Sequence, residues 1–507
     1  MVTRVTNRIM QNNALTNIFR LTEDLEKAQS DISSGKRISK PSDDPAGMRD
    51  ALGFRSTIAQ TGQFIRNIDF NQLLLASGDN ALNAIGVSLT RAKELALNQL
   101  NGVSTDQTRQ FAADEVDKLL SLVLQEANAS VKGQYIFAGS KIKTQPFSVS
   151  ASGEVSYAGN TEDFKIETAK GFQTNLTLPG SQVLASDLNP AVTNATLLSS
   201  LNGGTGVPAG SFAIADRAGN SATITVTAGM TVANLLSAIN SAGINVTASI
   251  NADQNGLLLT DSSPVVRQAL TVTEVGGGST AQKLGILGQR DGNLAGSDVD
   301  PALTSATTLS QLNGGSGLTL TAVNIVNGSA SGTVTLSSAT TLGDVVNAIN
   351  NAGLNVTASV NSQGNSLRVV SNNSSTAAVV SESGSGTSAR DLGIGGGRNV
   401  LTALAVLKDA LSKNDQQGIL ASLNNLDAGL QNINEGRASL GADQRRILDT
   451  RDIHEKDVVD FTQQKAAVED TDIVKRASDF ALLQTALQAA LNVTSRIIQP
   501  SLLDFLR

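Results

Sequence analysis

Residues 473–498 read IVKRASDFALLQTALQAALNVTSRII, and no charge occurs from Phe480 to Ser495. Ile473, Ala477, Phe480, Gln484, Leu487, Leu491, Thr494 and Ile498 recur at three- and four-residue steps. Leu483, Ala486, Ala490, Val493 and Ile497 form a second such line. This spacing predicts an α-helix with apolar residues on two sides. One side can pack on a helix of the same chain; the other needs a further partner, most simply neighbouring copies. A helix wholly buried in one globular domain is the alternative, but only the two ends of the chain offer helices for it.

The N-terminal end has a matching pattern. Ile18, Leu21, Leu25, Ala28 and Ile32 follow the 3-4-3-4 spacing of a coiled-coil seam. Ile65, Ile68, Gln72 and Leu75 continue in kind, then Leu82, Ile85, Leu89, Ala92 and Ala96. Asn101-Gly102 predicts a turn into a second helix over roughly 106–131. Between the first two helices lies SSGKRISKPSDDPAGM, residues 33–48. Pro41 stops one helix, Asp44 can cap the next, and Pro45 suits its first position. Pro41, Asp43, Asp44, Pro45 and Gly47 are therefore read as a sharp interdomain turn.

The middle of the chain differs in chemistry. Residues 171–397 hold 17 charged side chains in 227, against 66 in the other 280, which is the proportion of ordinary soluble domains. Alternating runs such as SATITVTA (221–228) and SGTVTLSS (331–338) predict half-buried strands. The region is also duplicated. LLSSLNGGTG (197–206) is echoed by TLSQLNGGSG (308–317), and TVANLLSAINSAGINVTASIN (231–251) by TLGDVVNAINNAGLNVTASVN (341–361). Each unit reads strand, short helix, strands, with Gly243 or Gly353 closing the helix. The expected fold class is α+β multidomain, with a long helical coiled coil from both termini around two duplicated α+β domains. Expected boundaries are 1–42 with 455–507 for the terminal helices and 43–170 with 398–454 for a helical part carrying a little β structure. The repeats are expected at 171–290 and 291–397.

Composition narrows the chemistry. With no Cys and a single His, thiolate metal sites, cysteine nucleophiles and multi-histidine sites are excluded. A net charge of −7 argues against a nucleic-acid partner. GIGGGR (393–398) has Arg where a dinucleotide loop needs Gly, and GGTG and GGSG lack the Lys-Ser/Thr ending of a phosphate loop. His454 reads as a solvated helix-face residue. Asp43-Asp44 and Glu469-Asp470-Thr471-Asp472 precede helices and read as caps. No catalytic residue, metal or cofactor is expected. No apolar run approaches the 18 residues of a membrane span, and MVTRVTNRIMQNNALTNIFR lacks the apolar core of a Sec signal.

The same residues carry a family resemblance. SSGKRI and SDDPAG within 33–47, RASLGADQRRI (437–447) and the run 468–507 ending in PSLLDFLR resemble the bacterial flagellin family. Arg445 stands where that family usually has Asn. GQYIFAGSKIKTQPF (133–147), followed by Tyr157-Ala-Gly, is more similar to the hook-associated protein 3 branch than to filament flagellins. The repeats, around Ala238-Ile239-Asn240 and Ala348-Ile349-Asn350, resemble flagellin-type IN domains. The resemblance covers roughly 1–170 and 398–507. It implies an extracellular structural protein in the layer between hook side and filament. Implied partners are further copies of itself, hook-associated protein 1, flagellin, and the flagellar type III export apparatus with its export chaperone. Subunit packing would fall on Ile18, Leu21, Leu25, Ile32, Ile473, Ala477, Phe480, Leu483, Leu487, Ala490, Leu491, Val493, Ile497 and Ile498. A filament flagellin with an enlarged outer domain, and a surface adhesin or glycan binder, are the competing readings.

Overall fold

The structure is a computed structural model that describes residues 7–150, 154–175 and 177–498. The chain opens with helices α1 (Asn7–Ser34), α2 (Pro45–Gln99) and α3 (Asp106–Ala127). Short strands follow: β1 (Ser130–Val131), β2 (Gln134–Tyr135), β3 (Phe147–Val149), β4 (Val155–Tyr157), β5 (Lys165–Ala169) and β6 (Phe172–Asn175). After the short helix α4 (Gly180–Val183) comes the first repeat. It holds β7 (Gly210–Ala215), β8 (Ser221–Val226), α5 (Val232–Asn240), β9 (Val246–Ile250), β10 (Leu257–Asp261), β11 (Leu270–Val275), α6 (Thr280–Lys283), β12 (Gly288–Arg290) and β13 (Leu294–Ala295). The second repeat holds β14 (Ala322–Asn327), β15 (Ala330–Thr335), α7 (Leu342–Asn350), β16 (Val356–Val360), β17 (Leu367–Ser371), β18 (Ala378–Glu382) and α8 (Ser388–Asp391). Helices α9 (Val400–Ser412), α10 (Gln416–Glu469) and α11 (Ile473–Ile498) complete the described chain. The α+β class and the helical ends around a β-rich centre stand as read from the sequence.

Two compact units emerge. One takes the described parts of residues 1–69, 167–172 and 447–507; the other takes 70–166 and 173–446. The turn at Pro41–Gly47 lies inside the first.

In the second unit, α2 and α10 pair antiparallel on a strict seven-residue repeat, the period of a left-handed coiled coil. Leu75, Leu82 and Leu89 of α2 are buried, as are Ile419, Leu426, Ile433 and Leu440 of α10. Small residues fall between them. A side chain added at Gly436 would lie 3.5 Å from Leu82 and 3.1 Å from Val183, and one at Gly429 would lie 3.6 Å from Leu89. Ion pairs Arg437–Asp79 (2.8 Å) and Lys93–Asp427 flank the seam. The seam runs Asn71, Leu75; Gln72, expected on it, is exposed. A 3-4 step from Ile68 selects Asn71, whereas the sequence reading took the 4-3 step.

Each repeat has its own core. In the first, β12-β11-β7-β8 form one antiparallel sheet and β13-β10-β9 another. In the second, β15-β14-β18 and β16-β17 correspond. Thr231 caps α5 through the Asn234 amide and Thr341 caps α7 through that of Asp344. Gly243 and Gly353 follow these helices at φ of 74° and 72°, where a Cβ would be strained. The side chains of Asn240 and Asn350 then clamp both backbone groups of Ala248 and Ala358, fixing helix to strand.

The tandem arrangement expected of the repeats is tied by a crossover. The segments leading into them are themselves copies, SDLNPAV (186–192) and SDVDPAL (297–303). Leu188, in the lead of the first repeat, is buried in the core of the second; Val299, at the equivalent place in the other lead, is buried in the core of the first. Val192 and Leu303 then return to their own repeats.

Candidate assembly surfaces

The first unit is built around the turn that joins α1 to α2. Ile38 is buried, and Lys36 bridges antiparallel to Asp470, with Arg37 N donating to Glu469 O (2.7 Å) and Thr471 N to Gly35 O (3.0 Å). These backbone bonds hold the two interhelix links side by side. Asp43 accepts from Ser39 N (3.1 Å) and Lys40 N (2.9 Å), closing the turn that Pro41 enters. Asp44 accepts from Gly47 N (2.9 Å) and so caps α2, with exposed Pro45 as its first residue. Those backbone donors hold both carboxyls below the usual aspartate range, Lys40 being the main cause for Asp43 and Gly47 for Asp44. At Gly47 a Cβ would meet Asp44 Oδ2 and Ile38 Cδ1 at 2.6 Å, so any larger residue must displace the capping carboxyl and the buried Ile38 side chain.

Glu469 overturns its reading as a cap. It is 1% exposed and accepts from Lys36 Nζ (2.6 Å) and from Arg55. Burial alone would raise its pKa; the hydrogen bonds from Lys36 and Arg55 outweigh that and lower it. Asp472 takes the capping role instead, accepting from Lys475 N (3.0 Å). His454 is likewise no solvated residue. It is buried, stacked on Phe64 at 5.7 Å, with Nε2 2.7 Å from the carbonyl of Thr168. Neither role has a local sequence signal, because each partner lies far along the chain.

From this turn α1 and α11 run as an antiparallel pair, with Arg476 bound to Asp31 at 2.7 Å. Ile18, Leu21, Leu25 and Ile32 are half-buried and Ala28 fully buried, all on the spacing read from the sequence. On α11 the described residues divide differently from the two lines of the sequence. Phe480, Leu483, Leu487 and Ala490 are half-buried and Thr494 buried, one continuous face drawn from both lines. Ile473, Ala477, Leu491 and Val493 are exposed, together with Val474 (83%) and Leu482 (67%), which neither line included. On α1, Phe19 is 71% exposed. The side chains of Ile497 and Ile498 lie outside the described residues. The face 480-483-487-490-494 alternates steps of 3 and 4, as both lines of the sequence do, so spacing does not choose among them and the packing against α1 does.

The chain matches the family model described as the bacterial flagellin N-terminal helical region over residues 5–142, and the C-terminal helical region over 423–506. It belongs to the bacterial flagellin family. The flagellin hook IN motif also matches, over 317–373 in the second repeat. Hook-associated protein 3 of Escherichia coli strain K12 is 28% identical over 32% of this chain and 50% of its own length. That of Salmonella typhimurium strain LT2 is 25% identical, over 30% and 48%. A flagellin of Clostridium tyrobutyricum is 30% identical, over 27% and 37%. The chain thus spans about half the length, or less, of these relatives. Among solved structures it is similar to FlgL of Xanthomonas campestris, with 16% identity over 81% of this chain and 98% of that one and a TM-score of 0.34. In this flagellin-family chain no described helix is long and apolar enough to cross a membrane.

Proposed function

We propose that the chain is an extracellular structural protein of the flagellum, forming the layer that joins hook side to filament. The observation that carries the self-assembly is the set of large apolar side chains stranded on the terminal helix pair: Phe19, Val474, Leu482, Leu491 and Val493. Large apolar side chains left exposed in this number on a two-helix pair mark a protein interface, and copies of the same chain would cover them most simply. Hook-side and filament neighbours would be hook-associated protein 1 and flagellin, and the route out would be the flagellar type III apparatus with its chaperone. No catalytic step is assigned. The hook-associated relatives support the junction; the flagellin of Clostridium tyrobutyricum supports a second reading, a filament subunit with an enlarged outer part. Immunogold labelling of intact flagella separates them. One band at the hook–filament boundary is expected; label along the filament would establish the second reading.

A further inference from the structure

We propose that the crossed leads of the two repeats form a proton-controlled clasp, closed while Asp187 and Asp298 are protonated and loosened as they ionise. The clasp is built twice over. In the first lead, Asn313 N donates to Leu188 O (2.8 Å), Gly314 N to Asn189 O (2.8 Å) and Leu188 N to Asn365 O (2.9 Å), all to or from the second repeat. In the other lead, Asn202 N donates to Val299 O (2.6 Å), Gly203 N to Asp300 O (2.7 Å) and Val299 N to Asn255 O (2.9 Å), now with the first repeat. Each lead is bent by the same device: Asp187 Oδ1 accepts from Asn189 N and Asp298 Oδ1 from Asp300 N, both at 2.9 Å, with φ of 36° and 37° at the bend.

The carboxyls are poorly balanced where they cross. Asp187, Asp300, Asn202 and Gln363 line a cavity of about 140 Å³ into which Lys141 reaches to pair with Asp300. The titratable groups facing the two aspartates are Lys141, Asp300, Glu162 and the Tyr157 phenol, so four carboxyls meet one ammonium. Each aspartate is half-buried by surface, yet enclosure of its carboxyl pushes Asp187 up to about 7, and enclosure with the charge of Asp300 raises Asp298. A carboxyl whose pKa in the closed clasp exceeds its open-chain value, near 3.8, binds its proton more tightly closed than open. Closure is therefore favoured most in acid and weakens as pH rises through the closed-state value.

Hydrogen–deuterium exchange of the full chain, read at the amides of residues 188, 202–203, 299 and 313–314, tests this. After correction for intrinsic base catalysis, protection there should fall about tenfold or more between roughly pH 6 and pH 9, while the cores of both repeats stay protected. Asp187→Asn with Asp298→Asn keeps the turn acceptors and should make protection independent of pH. Lys141→Met removes the balancing cation, so protection should drop more at the alkaline end than at the acid end. Flat protection in the natural chain would overturn the clasp. So would an unchanged pH profile in the double variant, or an equal loss at both ends in Lys141→Met.

Discussion

The side chain with the most at stake in the first unit is Glu469, a buried carboxylate at the end of α10 that receives one cation from the α1–α2 link and one from α2. Glu469→Ala leaves Lys36 and Arg55 without their acceptor, and should destabilise the chain by about 1–3 kcal/mol in urea unfolding. Because its folded pKa is lowered, its contribution is present above the ordinary glutamate value of 4.5 and is lost as pH falls through the folded one. The stability of the natural chain to chemical denaturation should therefore fall in mild acid, and Glu469→Ala should show less of that fall. Two substitutions on α11 separate fold from assembly. Val493→Asp places a charge where the single chain is already open, so circular dichroism of the monomer should not change while layer assembly, seen by electron microscopy, is abolished. Leu487→Asp falls on the half-buried face toward α1 and should weaken the helix pair as well.

Among elements, the α2–α10 pair relies on absent side chains as much as present ones. Gly436→Val would press on Val183 and Leu178, at 3.1 and 3.2 Å, and overpacking of this kind should cost about 1–3 kcal/mol in thermal or urea unfolding. Gly441, whose added Cβ would meet nothing, is the control: Gly441→Ala should be neutral or stabilising through helix propensity. The helices were legible because a sustained 3–4 spacing has no other cheap explanation. On α1, Ile18, Leu21 and Leu25 are half-buried and Ala28 buried along one face. The partition of α11 was not legible, since steps of 3 and 4 in a helix rich in Leu and Ala can be joined into several equally regular lines. The repeats were visible as copied sequence, and Gly243 and Gly353 as helix ends. The crossing of their leads was not, because adjacency in sequence is the only evidence a single chain gives about which core receives Leu188.

For the molecule as a whole, the chain enters and leaves the paired repeats at neighbouring points. Ser186 donates from its N to Asn399 Oδ1 at 3.0 Å, and its Oγ bonds Arg390 O at 3.1 Å, so the strand leaving the helical part lies beside the strand returning to it. Replacing 187–394 by a short Gly-Ser linker should leave the helices folded, with the α2–α10 and α3–α9 packing intact. The truncated protein should be recovered as a soluble monomer with a raised fractional helicity by circular dichroism. In a flagellated strain it should still support filament attachment. Normal secretion of the truncated chain without any filament would show that the insert takes part in the layer.

The exchange of leads also dictates an order of events in time. Repeat one cannot seal its interior until Val299 has arrived, and repeat two cannot do so without Leu188, supplied from the opposite direction along the chain. Val299 follows closely on β13, so the first interior can close locally, whereas Leu188 must reach the second across the whole of the first repeat. Closures of this length slow the search even where they scarcely alter the final balance. A polypeptide emerging gradually from its N-terminal end would thus finish its first repeat soon after Val299 appears, and its second only by closing back over Leu188.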